Sequence, residues 1–240
     1  MARRRFFISL DRIQNGVAVL DPDQAHHLRN VLRLGCGDEI ELFDGQGCGY
    51  AGLVESCGAE VRIRLLQETG PAPKPDTALV LAAALIKPDR FEWMLQKSTE
   101  LGVRRIIPLI TRFTNVCFAN PESRRERWRR IVQEAARQCR RLTVPEVACP
   151  QPFAALLSSP DLVGHSRFLL HEQAGERLQF IPDPGNSVLL CIGPEGGWDD
   201  AETRAAQDAG FRLVHMGPRI LRAETAAIAA VAVFQFLLDE

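Results

Sequence analysis

Lysine is nearly missing from this chain. Of its 29 basic residues, 26 are arginine. Seven cysteines make an odd number, and no two stand in a C-x-x-C pair. That spacing argues against a disulfide framework and against a zinc site, and the cytosol is the expected compartment. Long apolar runs are missing too. The longest, Thr225 to Leu238, is alanine-rich and too short to cross a bilayer, so no membrane partner is expected. "MARRRFF" carries charge with no apolar core behind it, so no secretory signal is expected. The Gly-rich stretch Gly193–Gly197 has neither the G-x-G-x-x-G nor the G-x-x-x-x-G-K-[ST] spacing, and no internal repeat is apparent. What is present is ordinary globular composition, 46% apolar and 25% charged over 240 residues, enough for one large or two modest domains.

The formal charge is −1, but it is distributed unevenly. Residues 87–141 hold fourteen basic and six acidic groups, and residues 142–240 hold six basic and thirteen acidic. A basic middle suggests a face for a polyanion, and arginine suits planar, bidentate phosphate contacts. Plain preference for Arg over Lys gives the same composition, so composition alone leaves both readings open.

"TGPAPKPDT" (Thr69–Thr77) packs three prolines and a glycine into nine residues and reads as a linker, 71–76 at its core. Before it, short alternating runs separated by turns, among them "DGQG" (Asp44–Gly47), predict a small β-barrel over 1–70. One helix fits there, "DQAHHLRNVLRL", with Asp23 as N-cap. After the linker, from 77 to 240, strands and helices alternate. That predicts an α/β domain with a mainly parallel sheet and helices on both faces. Its helices include "PDRFEWMLQKSTELG", closed by Gly102, "NPESRRERWRRIVQEAARQCRRL", with Pro121 in its first turn, and "WDDAETRAAQDAG", with Asp199 at its start.

Three loops fall at strand C-terminal ends, "LLHEQ", "CIGPEGG" and "HMGPRILRAET", the edge where open α/β sheets bind ligands. A Gly-rich loop before a helix often cradles phosphate. Here Glu195, Asp199 and Asp200 already supply negative charge, so the expected ligand is neutral or partly cationic. A plain strand-to-helix turn capped by Asp199 fits the same letters. Arg219 and Arg222 bracket an apolar pair in the third loop, ahead of a helix rich in alanine.

"IGPEGGWDDAE" followed by "MGPRILRAETA" resembles the paired C-terminal motifs of the SPOUT class of RNA methyltransferases, and within it the RsmE family. The likeness extends to "RRFF", "HHLRNVLRLGCGDEIELFDGQG", "KSTELGV" and "QEAARQCRR", and so covers nearly the whole chain. Met216 stands where the family usually has leucine. The resemblance implies a trefoil-knotted α/β domain behind a PUA-like barrel that binds RNA. It implies methylation of N3 of a uridine in 16S rRNA of the small ribosomal subunit, S-adenosyl-L-methionine as cofactor, and a homodimer. The cofactor has a sulfonium, an ammonium and no phosphate, which suits an acidic loop. The implied pocket takes Leu170, His171 and Glu172 from the first loop. From the second it takes Ile192, Gly193, Pro194, Glu195, Gly196 and Gly197. From the third it takes Met216, Gly217, Arg219, Ile220, Leu221, Arg222 and Ala226.

Uridine N3 is a poor nucleophile until its proton is lost, so the site needs a base or a cation that stabilises the deprotonated ring. Arg222 is the expected stabiliser. Glu224 is expected to position Arg222, to take the proton, or simply to cap the helix. Candidates for RNA contact are Arg3, Arg4 and Arg5 beside Phe6 and Phe7, which could stack on bases, then His27, Arg29 and Arg33, then Gln133, Arg137 and Arg140. The histidines lack a third ligand nearby, so no metal is expected. Two other readings remain: a SPOUT enzyme for another RNA position, such as a ribose 2′-hydroxyl, and a non-catalytic RNA-binding assembly factor.

Overall fold

The computed structural model describes residues 4–70, 77–116, 120–159, 163–178, 181 and 184–238. The linker core at 71–76 and Arg3 lie outside the described residues. The chain forms two compact units, Met1–Lys74 with Ala136–Val144, and Pro75–Ala135 with Pro145–Glu240. The nine-residue segment 136–144 therefore belongs with the first unit, although its sequence reads as the tail of the basic helix.

The first unit is a mixed six-stranded sheet. Its strands are β1 (Arg4–Phe7), β2 (Ile13–Gln14), β3 (Val17–Val19), β4 (Glu39–Phe43), β5 (Gly49–Cys57) and β6 (Val61–Thr69), in the order β1-β4-β5-β6-β3-β2. Helix α1 (Pro22–His26) continues into a wider turn over His27–Val31. Its cap is Asp21, whose side chain accepts from the Gln24 N–H, rather than Asp23. Pro22 explains the shift: it suits the first helical position and leaves the cap to the residue before it. Ala25 and Leu28 of this helical stretch pack with Phe6, Ile40, Leu42, Val54 and Ile63, so the core lies between helix and sheet. The "DGQG" turn joins β4 to β5. The Asp44 carboxylate accepts from the N–H groups of Gln46, Gly47 and Cys48, and Gly45 and Gly47 supply the positive φ.

The second unit is an eight-stranded sheet in which every ladder is parallel. In chain order it runs β7 (Ala78–Ala84), α2 (Pro88–Glu100), β8 (Arg105–Ile110), α3 (Pro121–Gln138), β9 (Glu146–Val147), β10 (Gln151–Pro152) and α4 (Phe153–Leu157). It continues with β11 (Ser166–Leu170), β12 (Glu176–Arg177), β13 (Ser187–Ile192), α5 (Asp200–Asp208), β14 (Arg212–His215) and α6 (Ala223–Leu238). The strand order is β10-β8-β7-β13-β11-β14-β12, with β9 also on β8. Strand side chains alternate between faces. Val80, Ala82, Leu169, Leu189 and Cys191 meet Phe153, Leu156 and Ala206 of α4 and α5 on one face. Phe168 points the other way, onto Phe234 of α6, with ring centroids 4.8 Å apart. Near-continuous apolar runs in β7 and β13 follow from this two-sided burial. Cys191 is wholly buried, and burial pushes its thiol far above the ordinary range, which makes it an inert core residue.

Sheet order is what builds the site. Strands β13, β11 and β14 are neighbours, with Leu170 opposite both Ile192 and Val214. Their loops, far apart in sequence, therefore leave the same edge side by side.

Candidate active site

Trp198 ties the first two loops together. Its indole N–H donates to the Leu170 carbonyl at 3.0 Å, and its ring lies 4.7 Å from Phe153. The ring covers Gly193 so closely that a Cβ there would sit 3.0 Å from it. Glu172 of the first loop reaches the second at Gly197, where an added Cβ would lie 3.3 Å from its carboxylate and where φ is +73°. These two glycines are needed for close approach and for a left-handed backbone.

Histidines shape the outer loops. The His171 Nδ1 accepts from the Ala174 N–H (3.1 Å), and the His215 Nδ1 accepts from the Gly217 N–H (3.2 Å). Both rings act as turn acceptors through Nδ1. Among the described residues, no group of three or more His, Cys, Asp or Glu could hold a metal ion.

The loops enclose a cavity of about 650 Å³, in the range of small-molecule sites. Its wall includes Leu170, His171, Glu172, Ile192, Gly193, Pro194, Glu195, Gly196, Gly197, Met216, Arg219, Ile220, Leu221, Arg222 and Ala226, all expected from sequence. Gly217 does not line it. It is buried at φ +106° and shapes the third loop from behind. Four lining residues were not in the implied pocket: Arg90, Trp198, Asp200 and Ala223, although Asp200 was already read as part of the loop's negative charge. Three of these lie inside the quoted motifs. Arg90 lies 80 positions before the nearest of the three loops, in the first turn of α2.

Charge in the cavity is mixed, with Glu172, Glu195 and Asp200 against Arg90, Arg219 and Arg222. Several N–H groups at the start of α5 are already taken. Asp199 accepts from the Ala201 N–H, and Glu202 accepts from both Asp199 and Arg112. A phosphate would meet like charge there from Glu195 and Asp200. A ligand with separate cationic and anionic ends fits this wall. Glu195 is exposed and has no hydrogen bond or ion pair among the described residues, so it faces the cavity rather than bracing the loop.

Glu224 departs from expectation. It is the second residue of α6, not its cap, and only 5% exposed. It does not line the cavity, and its ion pair is with Arg90 (3.7 Å) rather than Arg222. Lying behind the wall, it is badly placed to accept a proton from a ligand.

The expected RNA contacts also divide. Arg5 is 9% exposed; its guanidinium lies over Phe43 at 4.4 Å and donates to the Arg141 carbonyl. Burial lowers the pKa of Arg5. It is a structural residue, and Phe6 beside it is core, unable to stack on a base. Phe7 packs edge-on against Phe43. Arg29 donates to the Gly58 carbonyl, and His27 lies edge-on to Phe6. Arg140 pairs with Glu41 at 3.2 Å but stays exposed. Arg4 and Arg33 are exposed, Arg33 at φ +54°, and Gln133 and Arg137 are half-exposed. On α3, Arg127 binds Glu92 through two nitrogens and Arg125 donates to the Val147 carbonyl, so part of the basic run holds the fold.

The sequence and fold have close relatives. An RNA methyltransferase domain model matches residues 73–235, and an RNA methyltransferase PUA domain model matches residues 20–47. Ribosomal RNA small subunit methyltransferase E of Synechocystis is 33% identical over 98% of this chain and 78% of its own length. That of Bacillus subtilis is 30% identical over 97% and 96%. A structure of ribosomal RNA small subunit methyltransferase E from Neisseria gonorrhoeae, bound to S-adenosyl methionine, superposes with a TM-score of 0.87 at 32% identity, covering 98% of both chains. A Legionella pneumophila methyltransferase structure with bound SAM gives 0.89 at 31%, again over 98% of both. The fold is that of the SPOUT methyltransferases with a PUA-like first domain, and the chain belongs to the ribosomal RNA small subunit methyltransferase E family.

Proposed function

We propose that this chain methylates N3 of a uridine in 16S rRNA, with S-adenosyl-L-methionine as donor. The observation that carries the reading is the mixed-charge cavity at the ends of β13, β11 and β14. When bound, the cofactor supplies an electrophilic methyl group. The chain's own residues do the rest. Glu172, Glu195 and Asp200 attract the cationic part of the ligand, and Gly193 and Gly197 let backbone come close. Arg222, exposed on the cavity wall, stabilises charge that grows on the uracil oxygens as N3 loses its proton. Holding the reactants in line supplies much of the acceleration.

The first unit, with Arg4, Arg33 and Arg140 exposed, is the part that holds RNA. The protein works in the cytoplasm; among the described residues no helix is long and apolar enough to cross a membrane. It acts as a homodimer. The alanines of α6 are largely spent inside the fold, Ala227 and Ala230 being fully buried. Its outward face instead carries Ile228 and Ala232, half-exposed, and Phe236, 65% exposed. That apolar row is the surface a second copy would cover.

Mass mapping of rRNA nucleosides with and without the protein tests the reading. Gain of 3-methyluridine at one site supports it. A 2′-O-methylated ribose, or no modified nucleoside, overturns it. Arg222→Ala protein that still turns over at the wild-type rate removes the role of that arginine.

A further inference from the structure

Arg90 stands where a helix disfavours a cation. It is the third residue of α2, in the turn where the dipole repels positive charge. Its guanidinium nevertheless lines the cavity and is the least exposed of the three arginines that do so. Opposite it, in the first turn of α6, lies Glu224, almost wholly buried, with Oε1 3.7 Å from the Arg90 Nε and Oε2 without a hydrogen-bond partner. At that separation the carboxylate attracts the guanidinium without taking any of its N–H donors. Among the described residues Arg90 makes no hydrogen bond at all, so its five donors remain available to the cavity. A buried carboxylate oxygen left unsatisfied is costly. A ligand oxygen bound by the guanidinium would draw the pair together and lower that cost.

We infer that Arg90 binds an anionic oxygen of the ligand at this end of the cavity, and that Glu224 is the residue that positions it. The inference rests on the proposed function. That function offers two such oxygens, the carboxylate of S-adenosylmethionine and the uracil oxygen that gains charge as N3 is deprotonated. Arg219 and Arg222 are exposed and screened by water, whereas the half-buried Arg90 acts through a lower dielectric, so one guanidinium there has a large effect.

The test is calorimetric titration of full-length wild type, Arg90→Ala, Arg90→Lys and Glu224→Gln with S-adenosylmethionine and with its decarboxylated form, together with kcat and KM on rRNA. If the oxygen is the cofactor carboxylate, Arg90→Ala weakens S-adenosylmethionine by about 10- to 100-fold, the range for one charge-assisted hydrogen bond, and leaves the decarboxylated form unchanged. If it is the uracil oxygen, neither affinity changes and kcat falls by a similar factor at constant KM. In either case Arg90→Lys recovers part of the loss, and Glu224→Gln shifts the same quantity as Arg90→Ala, more weakly. Arg90→Ala protein with both affinities and kcat within about two-fold of wild type would overturn the inference and leave the proposed function standing. So would equal loss of both ligand forms with a lowered melting temperature, the mark of a folding defect. Wild-type protein that binds neither form overturns the proposed function, and this role with it.

Discussion

Gly175→Ala offers a sharp test of how the third loop is held. Gly175 sits between β11 and β12 at φ +95°, and a Cβ built there would lie 2.0 Å from the Leu213 carbonyl oxygen in β14. Two costs follow. A left-handed backbone with a side chain costs about 1–2 kcal/mol. The clash is with backbone rather than a flexible tip, so β14 must move, at an overpacking cost of about 1–3 kcal/mol. Gly210→Ala is the control. Gly210 has φ +81° with nothing within 4 Å of its would-be Cβ, so it carries the first cost alone. At roughly 2–4 °C per kcal/mol for a chain of this size, Gly175→Ala should melt about 2–12 °C below Gly210→Ala. Because β14 leads directly into Met216–Arg222, the same variant should also weaken binding of S-adenosylmethionine, which Gly210→Ala should spare. Calorimetric melts and ligand titrations of both proteins decide it. Equal melting temperatures would show that Leu213 relaxes freely and that β14 does not position the loop.

Trp198→Phe keeps the stacking on Phe153 but removes the N–H that Leu170 accepts, so stability should fall by about 0.5–1.5 kcal/mol in urea titrations, with weaker cofactor binding; an unchanged midpoint and affinity would count against the tie between loops. His165 has its pKa lowered by burial first, then by Arg167 and Arg105, so its contribution to stability is present above pH 6.5 and lost as pH falls through the lower folded value. The wild type should therefore lose melting temperature below that pH more steeply than His165→Gln, and parallel curves would refute this. The logarithm of RNA affinity should fall linearly with the logarithm of salt concentration, and Arg33→Ala should reduce the slope by about one. An unchanged slope would remove Arg33 from the phosphate contacts, whereas Arg5→Ala should unfold the first unit before it reports on RNA.

Much was legible in the sequence because it is set locally. Asp199 caps α5 with Glu202 reaching back, Gly102 follows the end of α2 at φ +104°, and Pro121 opens α3, each from the chemistry of a few neighbouring residues. The switch from alternating to continuous apolar runs separated the mixed sheet from the parallel one. The motif pair at "IGPEGG" and "MGPRIL" marked about half of the cavity wall. The tertiary structure decided what depends on distant partners. Strand order β13-β11-β14 turned three separate loops into one site. Packing brought Arg90 of α2 to Glu224 of α6, 134 positions away, and so gave the glutamate a different partner from the one nearest in sequence. Arg5 and Phe6 look like a basic, aromatic arm when read as letters. Once Phe43 and the Arg141 carbonyl close over them they are core, because burial is fixed by what the rest of the chain places on top of a residue, and no local pattern contains that information.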